Sequence, residues 1–149
     1  KDGKACSADP KRRRDGTIVL QESGVAYAFV EGALPLLDRA GCNLNIFYVA
    51  SAELFDLLPP RRQSLIFPEE LAREAMGITG FTMATLHRWV TSAAGRAHSL
   101  HPFRKGHFLG SGAGSMVLRE AGLDGASQFR AIRKFLATRP RRAGQAKRR

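Results

Sequence analysis

The chain has 149 residues, of which 44% are hydrophobic and 25% are charged, as in one ordinary globular domain. Its two cysteines, Cys6 and Cys42, provide neither a disulfide framework nor a zinc site, and they fit a reducing compartment. No apolar run approaches the ~20 residues of a membrane span, and the N-terminal segment lacks the apolar region of a signal peptide. We therefore expect a cytoplasmic protein that has no membrane partner.

The formal net charge is +11, and it is concentrated at the two ends of the chain. Residues 1–14 carry six Lys or Arg and two Asp, and residues 139–149 carry six Lys or Arg and no acid. The segment between them has 12 basic and 11 acidic residues. Short basic ends without aromatic residues are typical of solvated tails. We predict basic tails over 1–16 and 139–149 around a folded domain over 17–138, and we do not expect a nucleic-acid partner.

Strand and helix patterns alternate in the first part of the predicted domain. Residues 16–20 form an apolar, β-branched run that predicts a buried strand. Apolar residues then recur at helical spacing over 25–40, and Pro35 should kink or divide this helix because its ring removes a backbone donor. A second apolar run at 44–50 predicts another strand, followed by a short helix over 52–58 that Ser51 caps.

The middle of the chain has a weaker pattern. Residues 71–76 fit either a third strand or the end of a helix that starts a few residues earlier, and the strong helix formers there favour the helix. Residues 82–91 predict a helix, and residues 95–106, rich in Gly, His and Pro, predict a loop. Amphipathic helices are predicted over 115–120 and 125–137. The alternation indicates an α/β domain with a largely parallel sheet.

A glycine-rich segment precedes the first of these two helices, with Gly110, Ser111, Gly112, Gly114 and Ser115 in succession. A dinucleotide-binding loop requires a third glycine where Ser115 stands and a further strand after the helix, and a P-loop requires a lysine that is missing. We predict a tight turn that leads into the helix. Backbone N–H groups at a helix start can hold an anion, so these five residues are also a candidate anion-binding loop.

Other residues with catalytic potential do not form a recognisable set. His87, His98, His101 and His107 have no cysteine nearby in the sequence, so we interpret them as loop or surface histidines rather than zinc ligands. A G-x-S-x-G nucleophile motif is missing. Glu74 stands in an otherwise apolar stretch, which is typical of a structural carboxylate at a sheet end or an interface. The residues alone favour a non-catalytic domain of a larger enzyme.

Several short motifs follow one another along the chain: TIVLQESG, LLDRAG, LNIFYVASAELFD, RRQSLIFP, LAREAMGITGFTMATLHRWV and FLGSGAGSMVLREAGLDG, followed by the helical GASQFRAIRKFL. In this order the motifs resemble the C-terminal domain of transketolase. They extend over about residues 17–137. The sequence departs from the family pattern at Leu109, which separates Phe108 from Gly110, at Pro35, and in the QESG that ends the first strand.

The resemblance implies a three-layer fold with a mostly parallel, five-stranded mixed sheet and helices on both faces, and it implies a strand within 71–76. Transketolases transfer two-carbon ketol units between sugar phosphates with thiamine diphosphate and a divalent metal such as Mg²⁺. These cofactors bind the diphosphate-binding and pyrimidine-binding domains, so the resemblance assigns no catalytic, cofactor or metal residue to this chain, which alone should be inactive. It implies a homodimer in which this domain packs on those domains, with Glu74 and Trp89 as candidate interface residues.

Two alternatives stay open. One is the matching domain of a 2-oxoacid dehydrogenase beta subunit or of deoxyxylulose phosphate synthase. The other belongs to a different class: a stand-alone anion- or nucleic-acid-binding module that uses the basic ends and the glycine-rich loop.

Overall fold

Three parallel strands form the sheet of this computed structural model, which describes residues 12–106 and 109–139. In spatial order they are β2 (Leu44–Val49), β1 (Gly16–Gln21) and β3 (Ala75–Thr79). The α/β class with a parallel sheet is thereby confirmed. The described residues form three strands rather than the five that the resemblance implies, so the five-stranded sheet stays a prediction.

Eight α-helices occur in the described ranges, together with shorter helical turns. They are α1 (Ser23–Ala28), α2 (Leu34–Arg39), α3 (Ala52–Asp56), α4 (Pro60–Ile66), α5 (Glu69–Arg73), α6 (Ala93–His98), α7 (Gly114–Ala121) and α8 (Gly125–Thr138). A π-helical turn spans Phe29–Ala33, and 3₁₀ turns span Met83–Leu86 and Pro102–Lys105. Within this part of the chain, none of the helices has both the length and the apolar character that crossing a membrane requires.

The central strand β1 is buried along its whole length because both faces of the sheet are covered. Its side chains alternate between two hydrophobic clusters, with Ile18 and Leu20 in one and Val19 in the other. The first cluster also contains residues of α1, α2 and α8, and the second contains Leu86, Trp89 and Val90. The two clusters explain why the sequence of β1 is an unbroken apolar run rather than an alternating pattern.

Pro35 divides the first helical region as predicted, through a local π turn. The N–H of Leu34 donates to the carbonyl of Phe29, five residues earlier, and Pro35 then lies in the first turn of α2. A proline is tolerated there because its missing N–H would have no partner inside the helix. The π turn therefore accommodates Pro35 while the chain continues in the same layer.

The helix predicted over 71–76 is correct only in part. Helix α5 ends at Arg73, and β3 begins at Ala75, in agreement with the strand that the resemblance implies. Ala75 and Met76 are fully buried beside β1. Burial on both faces of the sheet outweighs the helix propensity of these residues.

The helix predicted over 82–91 is wrong, and the loop predicted over 95–106 is correct only after His98. The first segment forms only the Met83–Leu86 turn. In this turn Leu86 packs directly on the backbone of Gly77, since a Cβ on Gly77 would lie 2.6 Å from the Leu86 side chain. The second segment contains most of α6. Ser92 caps the start of this helix, because its Oγ accepts from the N–H of Gly95 at 3.0 Å. Gly95 suggested a loop, but it serves close packing, since a Cβ there would lie 2.0 Å from the carbonyl of Ala75.

The inner ends of both predicted tails contact the domain. The buried Asn43 binds the N-terminal side: its Nδ2 donates to the carbonyl of Arg12 at 2.8 Å, and its N–H donates to Asp15 at 2.7 Å. At the other end Arg139 donates to a carboxylate oxygen of Glu74 at 2.6 Å. The rest of both tails, including Cys6, lies outside the described residues, as do His107, which we interpreted as a loop or surface histidine, and its neighbour Phe108.

Helix α8 starts in direct contact with the π turn. A Cβ on Gly125 would lie 2.6 Å from the Cα of Gly32 and 2.7 Å from the carbonyl of Ala28. The buried Gln128 connects α8 to α1 and to the segment before α8, since its Nε2 donates to the carbonyls of Val25 at 3.1 Å and Leu123 at 2.7 Å. The backbones of α8 and the π turn approach this closely because neither glycine carries a side chain.

Replacing Gly125 by Ala should therefore lower the free energy of unfolding by about 1–3 kcal/mol, the usual cost of overpacking. Gly114→Ala is the matched control, because Gly114 is also the first residue of its helix but has open space around it. This control should stay within about 0.5 kcal/mol of the parent protein. Urea denaturation of the three proteins measures both values, and equal effects of the two substitutions would contradict the close contact.

Candidate functional site

The carboxyl ends of β1 and β3 form the place where a parallel sheet usually binds ligands. After β1 the chain enters α1, on the face of Ile18 and Leu20, whereas after β3 it enters the Met83–Leu86 turn, on the opposite face. Such a divergence of neighbouring strands opens a crevice, the topological switch point of an α/β sheet.

Glu22 fills this crevice with its own carboxylate. One carboxylate oxygen accepts from the N–H of Gly24 at 2.5 Å, and the other accepts from the N–H of Val25 at 3.0 Å. A Cβ at Gly80, just beyond β3, would lie 2.7 Å from the same carboxylate. The N–H groups that could hold an external anion are thus occupied by a group of the chain itself.

The backbone of Glu22 is strained in this position. Its φ is 79°, and it is the only non-glycine residue with positive φ in the described ranges. Such a conformation costs of order 1–3 kcal/mol and persists only where surrounding contacts maintain it. Beside it, the side chains of Gln21 and Thr85 hydrogen-bond at 2.8 Å, which closes the crevice from the other face. We interpret the switch point as internally occupied rather than as a ligand site.

The predicted anion-binding loop has a different environment from the one expected. Gly110, Ser111, Gly112, Gly114 and Ser115 are all exposed, and α7 begins at Gly114 without a side-chain cap. The N–H of Gly110 faces a carboxylate, since it donates to Glu120 at 3.4 Å. A negative charge beside the loop disfavours an external anion there.

The tight-turn role that we predicted for these glycines is not observed. Gly110, Gly112 and Gly114 all lack a positive φ. Within the described residues, the glycines with a positive φ are Gly41, Gly106 and Gly122. Two of those end helices, Gly41 after α2 and Gly122 after α7, which is the usual place for a left-handed glycine.

Trp89 and Glu74, the candidate interface residues, are both engaged within the chain. Trp89 is only 4% exposed, and its ring packs edge-on against Phe55 at 5.1 Å and Phe67 at 5.4 Å between ring centroids. Glu74 is exposed and pairs with Arg139. Trp89 has almost no surface left for a second domain, whereas an interface role for Glu74 stays a prediction.

Arg88 covers the edge of this aromatic cluster. Its guanidinium lies 5.1 Å from the centroid of Phe55 and 5.0 Å from that of Trp89, and it forms a salt bridge with Asp56. The hydrogen bond from Arg88 lowers the pKa of Asp56, and the same bond raises the pKa of Arg88. The sequence analysis did not single out Arg88, because the partners of its side chain come from a separate helix.

The histidines do not converge on a metal site. In the two described ranges, no group of three His, Cys, Asp or Glu side chains is arranged to hold a metal ion. His98 hydrogen-bonds the carbonyl of Ala94 at 2.8 Å. The Nδ1 of His101 is buried and has no hydrogen-bond partner, and burial, followed by the charge of Arg104, lowers the pKa of this imidazole.

A groove between α7, α8 and the Pro102–Lys105 turn is a concave surface where charged side chains converge. Its lining includes Lys105, Arg119 and Arg130. Sequence analysis missed this set because the three residues come from three elements and their spacing matches no motif. The only sequence signal was the basic face of the last helix.

A comparison with protein-family models gives no match for this chain, and a comparison with curated proteins gives no significant match.

Replacing Glu22 by Gln should lower the free energy of unfolding by about 1 kcal/mol, because the charge-assisted bonds to Gly24 and Val25 are lost. Glu31→Gln is the control, since Glu31 lies on the exposed side of the same helical layer. Chemical denaturation at neutral pH measures both. Equal stability of the two variants would show that the Glu22 carboxylate does not cap α1.

His101 should make stability depend on pH. Its pKa in the folded protein lies below the value of about 6.5 for an unfolded chain, so the unfolded state binds more protons at acid pH. The free energy of unfolding should fall as pH drops below about 6.5 and stay level above it. His101→Gln should make stability depend less on pH in this range, whereas the exposed control His87→Gln should keep the dependence of the parent protein. Thermal melts at a series of pH values test both variants. An unchanged pH dependence in His101→Gln would refute the assignment.

Proposed function

We propose that this chain is the C-terminal domain, or a separate C-terminal subunit fragment, of a cytoplasmic transketolase-like enzyme that transfers two-carbon ketol units between sugar phosphates. Its role in that enzyme is assembly rather than catalysis. The strongest support for this proposal is that motif segments of the sequence coincide with the ends of helices in the structure. The LLDRAG and AGLDG segments each end a helix at a left-handed glycine, Gly41 with φ 66° and Gly122 with φ 70°.

The proposal includes the five-stranded mixed sheet of that family. Leu100 pairs with Ile78 in a parallel bridge on the far side of β3 from β1. Its N–H donates to the carbonyl of Gly77 at 2.9 Å, and its carbonyl accepts from Thr79 at 3.0 Å. The bridge is a single residue pair, with Leu100 between α6 and the Pro102–Lys105 turn, so the further strands of the sheet stay part of the proposal.

The proposal assigns no thiamine diphosphate or Mg²⁺ site to this chain, and four of its acidic side chains already have other roles. Glu22 and Asp124 cap helices, and Asp56 and Glu74 form ion pairs with arginines. Carboxylates engaged in this way are not arranged as a cation site. In the proposed enzyme the diphosphate-binding and pyrimidine-binding domains, in a homodimer, supply the cofactor contacts.

A surface for those domains is available next to β2. Six large apolar side chains in the segment 46–66 are exposed, and the most exposed of them is Leu57, at 80%. The six are Ile46, Tyr48, Leu54, Leu57, Leu65 and Ile66. Single exposed apolar side chains are common on protein surfaces, and a contiguous patch of them marks an interaction site. We assign the assembly contact to this segment rather than to Trp89.

A domain replacement tests the proposal. A transketolase whose own C-terminal domain is replaced by this 149-residue chain should dimerise and transfer ketol units with thiamine diphosphate and Mg²⁺, whereas the isolated chain should not. Ketol transfer by the isolated chain would contradict the assembly role. A chimera that is folded by circular dichroism but monomeric would contradict the family assignment, and assembly only with a 2-oxoacid dehydrogenase beta subunit would favour that alternative.

The assembly surface has its own matched pair of variants. Leu57→Glu in the chimera should weaken dimerisation by about tenfold or more, since burying an unpaired charge costs over 1.4 kcal/mol. Met116→Glu, on α7, makes the same change at another exposed apolar residue and should leave dimerisation unchanged. Sedimentation equilibrium measures both dissociation constants.

A further inference from the structure

The groove between α7, α8 and the Pro102–Lys105 turn brings together three cations from three elements. Lys105 ends the turn, Arg119 lies in the last turn of α7, and Arg130 lies in the second turn of α8. All three line one open groove with a volume of about 570 Å³. Small-molecule sites have volumes of roughly 300–1,000 Å³.

These cations are not neutralised by carboxylates of the described residues. Arg119 makes no hydrogen bond or ion pair with this part of the chain, and Lys105 and Arg130 are held by neutral acceptors. Lys105 Nζ donates to the carbonyl of Glu120 at 2.5 Å, and Arg130 donates to Ser127 Oγ at 2.9 Å. The hydrogen bonds orient two of the three side chains and form no ion pair, and the charge of Arg130 also helps to lower the pKa of Asp124.

Asp124 is the one acidic residue in the groove lining, and its oxygens are already occupied. One oxygen accepts from the N–H groups of Ala126 and Ser127, each at 3.1 Å, and the other accepts from Ser127 Oγ at 2.6 Å. Its charge is therefore directed at the start of α8. Three positive charges against one negative charge leave the groove electropositive.

We propose that this groove binds the phosphate group of a small phosphorylated metabolite. A guanidinium presents paired donors that match two phosphate oxygens, and a lysine adds a point charge, so the set suits a dianion. The volume beyond the cations accommodates the organic part of such a ligand. The proposal rests on the residues of the groove and does not depend on the transketolase assignment. It moves the anion site from the loop at Gly110–Ser115, where Glu120 intrudes, to the opposite end of α7.

The test is a titration of the full-length, ¹⁵N-labelled chain with inorganic phosphate and with glycerol 3-phosphate at constant ionic strength. The amide signals of Gly122, Ala126 and Ser127 should shift and saturate, with a Kd of about 1 mM or tighter. Failure to saturate, or shifts confined to Gly110–Ser115, would overturn the groove assignment.

Paired variants separate a specific site from general charge attraction. Arg119→Met should weaken binding about tenfold, as expected for a lost hydrogen bond to a charged group, without unfolding the protein, because Arg119 has no partner in the described residues. Lys105→Met should act in the same direction. Arg62→Met and Lys134→Met remove the same charges from exposed positions outside the groove and should leave the Kd unchanged.

Equal weakening by Arg119→Met and Arg62→Met would refute a specific site. A short single-stranded oligonucleotide, whose phosphates are diesters, completes the experiment at matched phosphate concentration. If the amide signals of the groove show weaker binding of the oligonucleotide than of glycerol 3-phosphate, the result supports a phosphate monoester as the ligand. Tighter binding of the oligonucleotide at those signals would overturn the proposed ligand class.

Discussion

The contact between Gly32 and Gly125 determines where the last helix lies on this fold. Two backbones meet there at a separation that no side chain would permit, and the buried Gln128 ties the same helix to the carbonyl of Val25. Because α8 supplies Ile132 and Phe135 to the first core cluster, its position also decides how that face of β1 is covered. The same contact sets the start of α8, and with it the orientation of Arg130 in the groove.

Anionic groups of the chain itself occupy two places where the fold would otherwise attract an external anion. At the sheet edge, Glu22 takes the N–H groups that begin α1, despite a strained backbone. Near the glycine-rich loop, Glu120 accepts from Gly110. The groove at the far end of α7 differs, since its one carboxylate caps α8 and its lining has three cations against that one negative charge. The distribution of carboxylates, more than the glycine content, thus determines where an anion is favoured.

The proposed assembly role and the proposed phosphate groove lie on different parts of the molecule. The exposed apolar side chains lie in the segment 46–66, around β2 and the two helices that follow it. The groove is formed by residues from 105 onward. A domain with this arrangement is able to pack on a catalytic partner through one surface and still bind a metabolite through another. That arrangement suits a regulatory site in a non-catalytic domain.

The sequence alone determined the features that depend on local chemistry. The apolar runs of β1 and β2, the Ser51 cap, the division of a helix at Pro35 and the extent of α7 and α8 all follow from patterns within a few residues. Tertiary structure decided the rest. It made Ala75 and Met76 part of a strand despite their helix propensity, used Gly95 for packing rather than for a loop, and buried the predicted interface residue Trp89. It also assembled the cationic groove from three separate elements. Local sequence patterns indicate backbone preference and amphipathicity, whereas burial and the convergence of charges depend on which distant segments meet. In this protein, close contacts such as the one between Gly32 and Gly125 decide which segments meet.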